Sequence, residues 1–200
     1  SWALWYRLVL ARAARQTARW GPPQVVASFT SFTRWFARSV GRCSFETSEG
    51  PPRRQVIMGV HPHGTYMISA AFFCGKIFCD PANTPGWFVC VQNLLFRIPG
   101  VSECLLLVNA RSADLDVMGS ILDGGYSIGL QPGGLHEQVR TDPDVEAAYF
   151  PSNLGFIRLA IERGVPLVPV YVFGENQLYG QNQATRAANG FLKRRLGVGS

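Results

Sequence analysis

The chain has 200 residues, of which 47% are hydrophobic and only 16% are charged, and its formal net charge at pH 7 is +6. This length suits one domain with its own core, and the charged fraction is below the roughly 25% of a typical soluble domain. No run reaches the roughly 18 to 20 apolar residues of a membrane-spanning helix. The composition therefore excludes a spanning segment within these residues and favours a domain that lies on a membrane surface.

Two amphipathic helices are predicted at the start of the chain, at residues 1–19 and 25–41, with Gly21-Pro22-Pro23 between them. Arginines and aromatic side chains are interleaved through both, which is typical of helices that lie in the interface of an anionic membrane. Nucleic acid would also attract arginines, but no recognition motif accompanies them. We therefore predict that residues 1–45 form an amphipathic, membrane-interfacial helical segment.

Short apolar runs alternate with helical patterns after a linker that contains Gly50-Pro51-Pro52. The predicted strands lie at 55–60, 87–92, 104–108, 127–131 and 166–173, and the predicted helices at 66–78, 113–123 and 153–163. Strands that are apolar throughout are typical of a sheet buried on both faces. The sequence therefore predicts an α/β fold, with one domain over residues 46–200 whose central, largely parallel sheet is flanked by helices. Because the chain begins without Met and ends abruptly, we expect this domain to be incomplete at its C-terminal end.

Two of the three histidines of the chain fall in the turn His61-Pro62-His63-Gly64, directly after the first predicted strand. Histidine titrates near neutral pH and serves as a general base or a metal ligand. The proline restricts the backbone, and Gly64 allows a sharp turn with room for a substrate. A single histidine is usually structural, but two in a Pro/Gly turn at a strand end favour a functional site.

Two further loops follow predicted strands. The turn Pro132-Gly133-Gly134 brings amide N–H groups to the end of one strand, where they suit an oxyanion or a phosphate, and His136-Glu137 comes directly after it. A buried glutamate beside a histidine can orient the imidazole and stabilise its protonated form. Gly174-Glu175-Asn176 follows the last predicted strand. Because functional residues of open parallel sheets lie beyond the strand ends, we expect the three loops to form one site.

Two other classes of function are compatible with these residues. His61, His63 and His136 form the type of ligand set that holds a catalytic zinc, with Glu137 as base, so a metal-dependent hydrolase is one alternative. Against it, the sequence lacks the helical His-x3-His spacing. A non-catalytic lipid-surface protein that keeps the fold is the other alternative.

Five cysteines, an odd number without a CxxC pair, predict reduced thiols in a cytosol-facing environment. They lie at positions 43, 74, 79, 90 and 104. None follows a strand in a glycine-flanked turn, so we interpret the cysteines in apolar runs as core residues rather than nucleophiles.

Taken together, these residues resemble the diacylglycerol acyltransferase type 2 family, which includes monoacylglycerol and wax-ester acyltransferases. The resemblance covers about residues 55–180. It rests on the motifs Val60-His61-Pro62-His63-Gly64, Arg97-Ile98-Pro99-Gly100, Gly124-Gly125, Pro132-Gly133-Gly134-Leu135-His136-Glu137, Gly155-Phe156-Ile157-Arg158-Leu159-Ala160, Leu167-Val168-Pro169-Val170 and Phe173-Gly174-Glu175-Asn176. Two departures stand out: Asn153-Leu154 replaces the basic residues common before Gly-Phe, and Tyr66 and Ile68 replace the Asp of a His-x4-Asp motif.

The resemblance implies a glycerolipid acyltransferase-like fold and lipid biosynthesis by acyl transfer. The implied reaction moves an acyl group from acyl-CoA, as co-substrate, to the hydroxyl of a neutral glycerolipid. The foremost implied acceptor is diacylglycerol, which this transfer converts to triacylglycerol. A monoglyceride or a wax alcohol is the alternative acceptor. No cofactor and no metal are expected. The implied location is the cytosolic face of the endoplasmic reticulum membrane or the surface of a lipid droplet.

From the loops and the resemblance we predict His63 as the general base that takes the proton of the acceptor hydroxyl. Glu137 is predicted to support its imidazolium, and His61 to shape the turn or contact substrate. The amides of Gly133 and Gly134 are predicted to stabilise the oxyanion. Substrate contacts are also predicted at Gly64, Pro132, His136, Arg97, Arg158, Gly174, Glu175 and Asn176. The two arginines of this set are candidates for the phosphates of acyl-CoA.

Overall fold

The structure is a computed structural model that describes residues 2–39, 52–64, 86–138, 140–150 and 152–178, with the single positions 70, 73, 77, 79, 83, 187 and 191. In chain order its elements are α1 (Trp2–Ala13), α2 (Pro23–Ser39), β1 (Ile57–His61), β2 (Trp87–Val91), a 3-10 helix (Asn93–Arg97), α3 (Val101–Leu107), β3 (Ala110–Ser112), α4 (Leu115–Asp123), β4 (Ser127–Leu130), α5 (Gly134–Gln138), α6 (Gly155–Arg163) and β5 (Leu167–Tyr171). Most of the predicted helix at 66–78, and the predicted linker up to residue 51, lie outside the described residues.

The strands of the described residues form one sheet in the order β3-β2-β4-β1-β5, and every neighbouring pair is parallel. The register pairs His61 at the end of β1 with Tyr171 at the end of β5. On the other side of β1, Gly59 is paired with Leu130 of β4. The prediction of an α/β fold built on one parallel sheet is confirmed, and the ends of β1, β4 and β5 lie next to one another.

Side chains of the sheet point alternately into two cores, because successive residues of a strand face opposite sides. Met58 packs in the core that also contains Leu10 of α1 and Leu106 of α3. Its neighbour Ile57 packs in the other core, with Ile121 of α4. Full burial of an aliphatic side chain contributes about 1.5–3 kcal/mol. The two cores explain why the strands are apolar throughout rather than alternating.

The predicted strand at 104–108 is wrong, because this apolar run belongs to helix α3. The carboxylate of Glu103 accepts a hydrogen bond from the backbone N–H of Gly100 at 2.8 Å and another from the Ser102 hydroxyl at 2.7 Å, which stabilises the start of a helix. A short run of leucines has no period that separates a strand from a helix. The interpretation of Cys104 as a core residue is also wrong, because on α3 it faces outward and is exposed, whereas Leu106 is buried.

Both predicted N-terminal helices are present, and α1 packs against the sheet domain. The Tyr6 hydroxyl donates to Glu103 at 2.9 Å, and the backbone N–H of Ser112 in β3 donates to the carbonyl of Ala14 at 2.9 Å. The domain boundary predicted at residue 45 lies outside the described residues and stays a prediction. Within the part of the chain that the structure describes, no helix combines the length and the apolar character needed to cross a bilayer.

Arg111 fastens the segment after α1 to the edge strand β3. Its side chain is fully buried, and its guanidinium lies 4.9 Å from the ring centre of Phe88. Its N–H groups donate to the main-chain carbonyl oxygens of Gln16, Ala18 and Ala110. Burial lowers the pKa of Arg111 to about 10, so the side chain is still charged at neutral pH. This guanidinium replaces the hydrogen bonds that three carbonyl groups would otherwise make with water.

Candidate functional site

The three loops that follow β1, β4 and β5 meet at the carboxyl edge of the sheet, as the strand order requires. Gly64, after β1, has a φ of +63°, and a Cβ at this position would lie 2.7 Å from Cγ of Glu175 in the loop after β5. Only glycine therefore permits this close approach of the two loops. Glu175 and Asn176 are both buried there, each with 2% of its surface exposed.

The loop after β4 is joined to β1 by a buried histidine–glutamate pair. Nδ1 of His61 lies 3.3 Å from Oε2 and 3.4 Å from Oε1 of Glu137. The side chains are 8% and 1% exposed. Donation of the Nδ1 proton to the carboxylate selects the imidazole tautomer whose Nε2 carries a lone pair.

The position of Glu137 depends on short-range features of its own loop. The backbone N–H of Tyr149 donates to Oε1 of Glu137 at 2.9 Å, and the Thr141 hydroxyl donates to its main-chain carbonyl at 3.1 Å. A Cβ at Gly133 would lie 2.1 Å from Oε2 of Glu137, closer than any side chain can come. The Pro-Gly-Gly turn therefore leaves the space that the carboxylate fills.

The second nitrogen of His61 is one of several buried polar atoms at this edge without a partner in the described residues, and side-chain atoms of Gln131 and Asn176 are the others. Nε2 is buried and has no hydrogen-bond partner among the residues that the structure describes. The ring of Phe150 packs on the imidazole, with 4.5 Å between the ring centres and a tilt of 47°. A buried nitrogen without a partner loses free energy of solvation, and such groups concentrate where a ligand or substrate supplies the missing hydrogen bond. Nε2 is therefore the site's candidate proton acceptor.

His63 stands apart from this pair. Its Nδ1 lies 3.1 Å from the carbonyl oxygen of Gly64. Burial lowers the pKa of His63 below its ordinary value of 6.5, and the charge of Glu137 opposes this effect only in part. We predicted that Glu137 would support His63, whereas the structure places its carboxylate against His61. Sequence alone did not separate the two histidines because only the direction of each side chain decides which one the carboxylate meets.

One of the two amides predicted to stabilise an oxyanion makes a hydrogen bond within the chain. The N–H of Gly134 donates to the carbonyl of Gln131 at 3.2 Å and closes the turn that opens α5. In the described part of the chain, the amide of Gly133 is the member of the pair without a backbone hydrogen bond. His136 lies half-buried on α5, and a Cβ added at Gly59 of β1 would lie 3.6 Å from Cγ of Pro132.

The two arginines predicted to bind phosphate lie on surface elements outside the three loops. Arg97 ends the 3-10 helix after β2, and Arg158 lies on the outer face of α6. Both are exposed, and within the described residues neither side chain makes a hydrogen bond or an ion pair. They stay candidates for an anionic substrate group.

Sequence reasoning missed the segment 140–150, which connects the loops after β4 and β5. Glu146 accepts a hydrogen bond from the Tyr171 hydroxyl at 2.7 Å and another from the backbone N–H of Gly174 at 3.4 Å. The carbonyl of Val145 accepts a hydrogen bond from the Asn176 side chain at 3.2 Å. Irregular segments have no periodicity to detect, and a Thr-Asp-Pro start signals a turn without indicating what it will contact.

The described part of the chain contains no group of three or more His, Cys, Asp or Glu side chains arranged to hold a metal ion. The set His61, His63 and His136 therefore does not form the ligand cluster that the hydrolase alternative requires. Burial raises the pKa of the thiol of Cys79 to about 11 and that of Cys90 to about 12. Both thiols are protonated at neutral pH and consistent with core packing.

The fold and this site define an α/β protein with a buried histidine–carboxylate pair at the carboxyl edge of a parallel sheet. The family model described as diacylglycerol acyltransferase matches residues 3–197. The chain belongs to the diacylglycerol acyltransferase family, as the motifs predicted.

Several characterised proteins are similar to this chain. Diacylglycerol O-acyltransferase 2 of Dictyostelium discoideum is 35% identical over 65% of the chain and 41% of its own length. Acyl-CoA wax alcohol acyltransferase 1 of Homo sapiens is 30% identical over 68% of the chain and 43% of its own length. The human 2-acylglycerol O-acyltransferase 3 is 31% identical over 67% of the chain and 41% of its own length. The chain thus spans less than half the length of these relatives, and no solved structure matches it.

Proposed function

We propose that this protein is an acyl-CoA-dependent O-acyltransferase that esterifies the hydroxyl of a neutral glycerolipid. The main reaction proposed is the conversion of diacylglycerol to triacylglycerol. The observation that carries the proposal is the buried His61–Glu137 pair with an unpartnered Nε2. Relatives named for diacylglycerol, 2-acylglycerol and wax-alcohol acyl transfer support the reaction type. All three acceptors present at least one free hydroxyl on an apolar body, so the same base serves each of them.

In the proposed mechanism, Nε2 of His61 takes the proton of the acceptor hydroxyl. At the same time, the oxygen of that hydroxyl forms a bond to the thioester carbonyl carbon. Glu137 keeps the proton on Nδ1 and stabilises the imidazolium. A well-placed general base increases the rate by a factor of roughly 10² to 10⁴. The amide of Gly133 is the candidate donor to the oxyanion. When the carbon–sulfur bond breaks, the proton on Nε2 passes to the thiolate of coenzyme A.

This assignment differs from the prediction from sequence, which made His63 the base. His61 is preferred because it has both features of a general base, an orienting carboxylate and a nitrogen that is open for a proton. His63 is instead proposed to be a neutral residue beside the substrate, consistent with its lowered pKa.

Ester formation tests both the reaction and the base. The full protein is expressed in microsomes without their own neutral-lipid synthesis, and labelled oleoyl-CoA is supplied with diacylglycerol, monoacylglycerol or a fatty alcohol. We expect labelled triacylglycerol, loss of it in His61→Ala and a smaller decrease in His63→Ala. Loss in His63→Ala with full activity in His61→Ala would reverse the roles. Absence of labelled ester with every acceptor would reject the acyltransferase.

The surface of α1 and α2 supports a location at the cytosolic face of the endoplasmic reticulum membrane or at a lipid droplet. Leu4, Trp5 and Leu8 of α1 are exposed, as are Phe32 and Trp35 of α2, whose ring centres lie 5.9 Å apart. Exposed arginines flank these apolar side chains at positions 7, 12 and 38. Apolar anchors beside cationic groups are what an amphipathic interfacial helix offers to anionic lipid.

Flotation with vesicles that contain anionic lipid tests this surface. We expect Trp35→Ser to reduce binding to the vesicles. Ile161→Ser is the matched control, because Ile161 is 76% exposed but lies on α6, which packs on the other core of the sheet. Equal binding of both variants and the parent protein would remove α2 from the membrane contact.

Arg97 and Arg158 are proposed to bind the phosphates of acyl-CoA, because both are exposed cations without partners in the described residues. Replacement by alanine is expected to raise KM for acyl-CoA and to leave KM for the lipid acceptor unchanged. An unchanged KM for acyl-CoA in the double variant would assign these arginines to the solvated surface.

A further inference from the structure

The segment 140–150, called the strap below, covers the histidine–glutamate pair on one side. It is attached at its start by the Thr141 hydroxyl and near its end by the backbone N–H of Tyr149, which both donate to Glu137. In its middle, the carboxylate of Glu146 accepts a hydrogen bond from the Tyr171 hydroxyl. The strap therefore has fixed points on two neighbouring loops, and the residue after Tyr149 is placed by them.

That residue is Phe150, whose ring packs on His61 although 60% of Phe150 is exposed. An exposed phenylalanine outside a core normally contributes little to the free energy of folding. Here its inner face contacts an imidazole that is itself 94% removed from solvent, since only 6% of His61 is exposed. The rest of its surface is open to solvent. Two further aromatic rings, those of Tyr171 and Phe173, lie 4.9 Å apart at the end of β5.

Water is the competitor that such a site must exclude. A base that removes a proton from an alcohol can also remove one from water, and the oxygen of that water would then attack the same thioester carbon. The carbon–sulfur bond breaks in both cases and the thiolate takes the proton from the base, but with water the product is a free fatty acid. Closing a site against water is a recognised means of preventing this side reaction.

We propose that Phe150 determines the partition between acyl transfer and thioester hydrolysis by shielding His61 from water while offering its outer face to the hydrocarbon of the lipid acceptor. This inference rests on the proposed function. Phe150 is a specificity-determining residue in this scheme and takes part in no bond that forms or breaks.

The partition is measured with labelled oleoyl-CoA and diacylglycerol, as the ratio of free oleate to triacylglycerol. We expect Phe150→Ala to raise this ratio by at least about tenfold, the discrimination that one apolar group commonly provides. Phe150→Leu, which restores most of the bulk, is expected to return the ratio towards that of the parent protein. An unchanged ratio in Phe150→Ala, even with a lower total rate, would overturn the proposal.

Phe173→Ala is the matched control, because Phe173 is 85% exposed near the same edge and its ring contact is with Tyr171 rather than His61. We expect its ratio of products to equal that of the parent protein. A ratio raised as far as in Phe150→Ala would show that any aromatic loss at this edge has the same effect, and the specific role of Phe150 would fail.

A second measurement does not depend on activity. Carbethoxylation of each histidine by diethyl pyrocarbonate is followed by mass spectrometry, with fragment ions separating His61 from His63. We expect Phe150→Ala to speed modification of His61 at least several-fold and to leave His136 unchanged. Equal rates at His61 in parent and variant would refute the shield. If the parent forms no ester with any acceptor, the proposed function fails, and this measurement still decides whether Phe150 covers His61.

Discussion

Two buried polar side chains of this protein, His61 in the middle of the sheet and Arg111 at its edge, have opposite relations to their surroundings. Arg111 donates to the carbonyl oxygens of Gln16, Ala18 and Ala110 and holds two segments together. His61 uses one nitrogen for Glu137 and leaves the other buried without a partner in the described residues. Burial alone therefore does not separate a structural polar group from a functional one. Completeness of the hydrogen bonds distinguishes these two residues.

The physical reason is the cost of an unpaired polar atom. A buried donor or acceptor without a partner costs about 1–3 kcal/mol, so a fold accumulates few of them without compensation. At Arg111 the chain has removed this cost by supplying main-chain acceptors. At His61 it retains the cost at a place where Gly64, Gly133 and the strap 140–150 all provide space and support. The following predictions test this contrast, from the largest expected effect to the smallest.

Replacement of Glu137 by glutamine should have the largest effect on activity. A glutamine amide can donate to Nδ1 of His61 and would favour the tautomer that carries its proton on Nε2, where it can no longer accept one. We expect kcat to fall by roughly 10² to 10⁴. The measurement is the initial rate of ester formation per folded molecule, with thermal unfolding as the control for the fold. A rate near that of the parent protein would contradict the role of the pair.

Gly133→Ala should lower both stability and activity. The added Cβ would lie 2.1 Å from Oε2 and 2.5 Å from Cβ of Glu137, so the glutamate must move. Such overpacking costs about 1–3 kcal/mol. Gly59→Ala is the control, since its nearest neighbour is Cγ of Pro132 at the ordinary distance of 3.6 Å. Thermal unfolding and ester formation are compared for both variants. Equal unfolding temperatures and equal rates in the two variants would show that Glu137 can move without loss of stability or activity.

Arg111→Met should affect stability without affecting the chemistry. The methionine fills much of the volume but leaves carbonyl groups of the segment after α1 without their donor, at a cost of about 1–3 kcal/mol. Arg111→Lys is expected to restore only part of this, because an ammonium lacks the planar fork of donors. Unfolding midpoints and kcat per folded molecule separate the two effects. A loss of kcat as large as that of Glu137→Gln would place Arg111 in the functional machinery.

The smallest expected effect concerns pH. Burial lowers the pKa of His63 in the folded state below the 6.5 of an exposed histidine. As the pH falls, the unfolded chain therefore binds the proton before the folded chain does. The contribution of a neutral His63 to the free energy of unfolding is complete above about pH 6.5 and is lost as the pH falls below it. The free energy of unfolding then changes by at most about 1.4 kcal/mol per pH unit. In thermal unfolding followed across this range, His63→Gln should show a flatter acid side. An identical pH profile would mean that His63 is accessible to protons in the folded state.

Much of this arrangement was predictable from local sequence. Apolar runs without alternation predicted a sheet buried on both faces, and glycine and proline after three of these runs predicted the loops at its carboxyl edge. The predicted strand at 104–108 failed because Leu105-Leu106-Leu107 fits a helix face as well as a strand. Only the capping contacts of Glu103 and the packing of Leu106 decide between them.

The sequence by itself determined the family, the class of fold and the three loops that carry the buried pair, since these depend on local patterns and motif order. Only the tertiary structure decided which histidine meets Glu137 and that the ring of Phe150 packs on His61. His61 and His63 are two residues apart in one turn, and Phe150 lies 89 positions beyond His61 in an irregular segment. Side-chain direction at a strand end and the path of a long loop depend on contacts between distant parts of the chain, which no local pattern encodes.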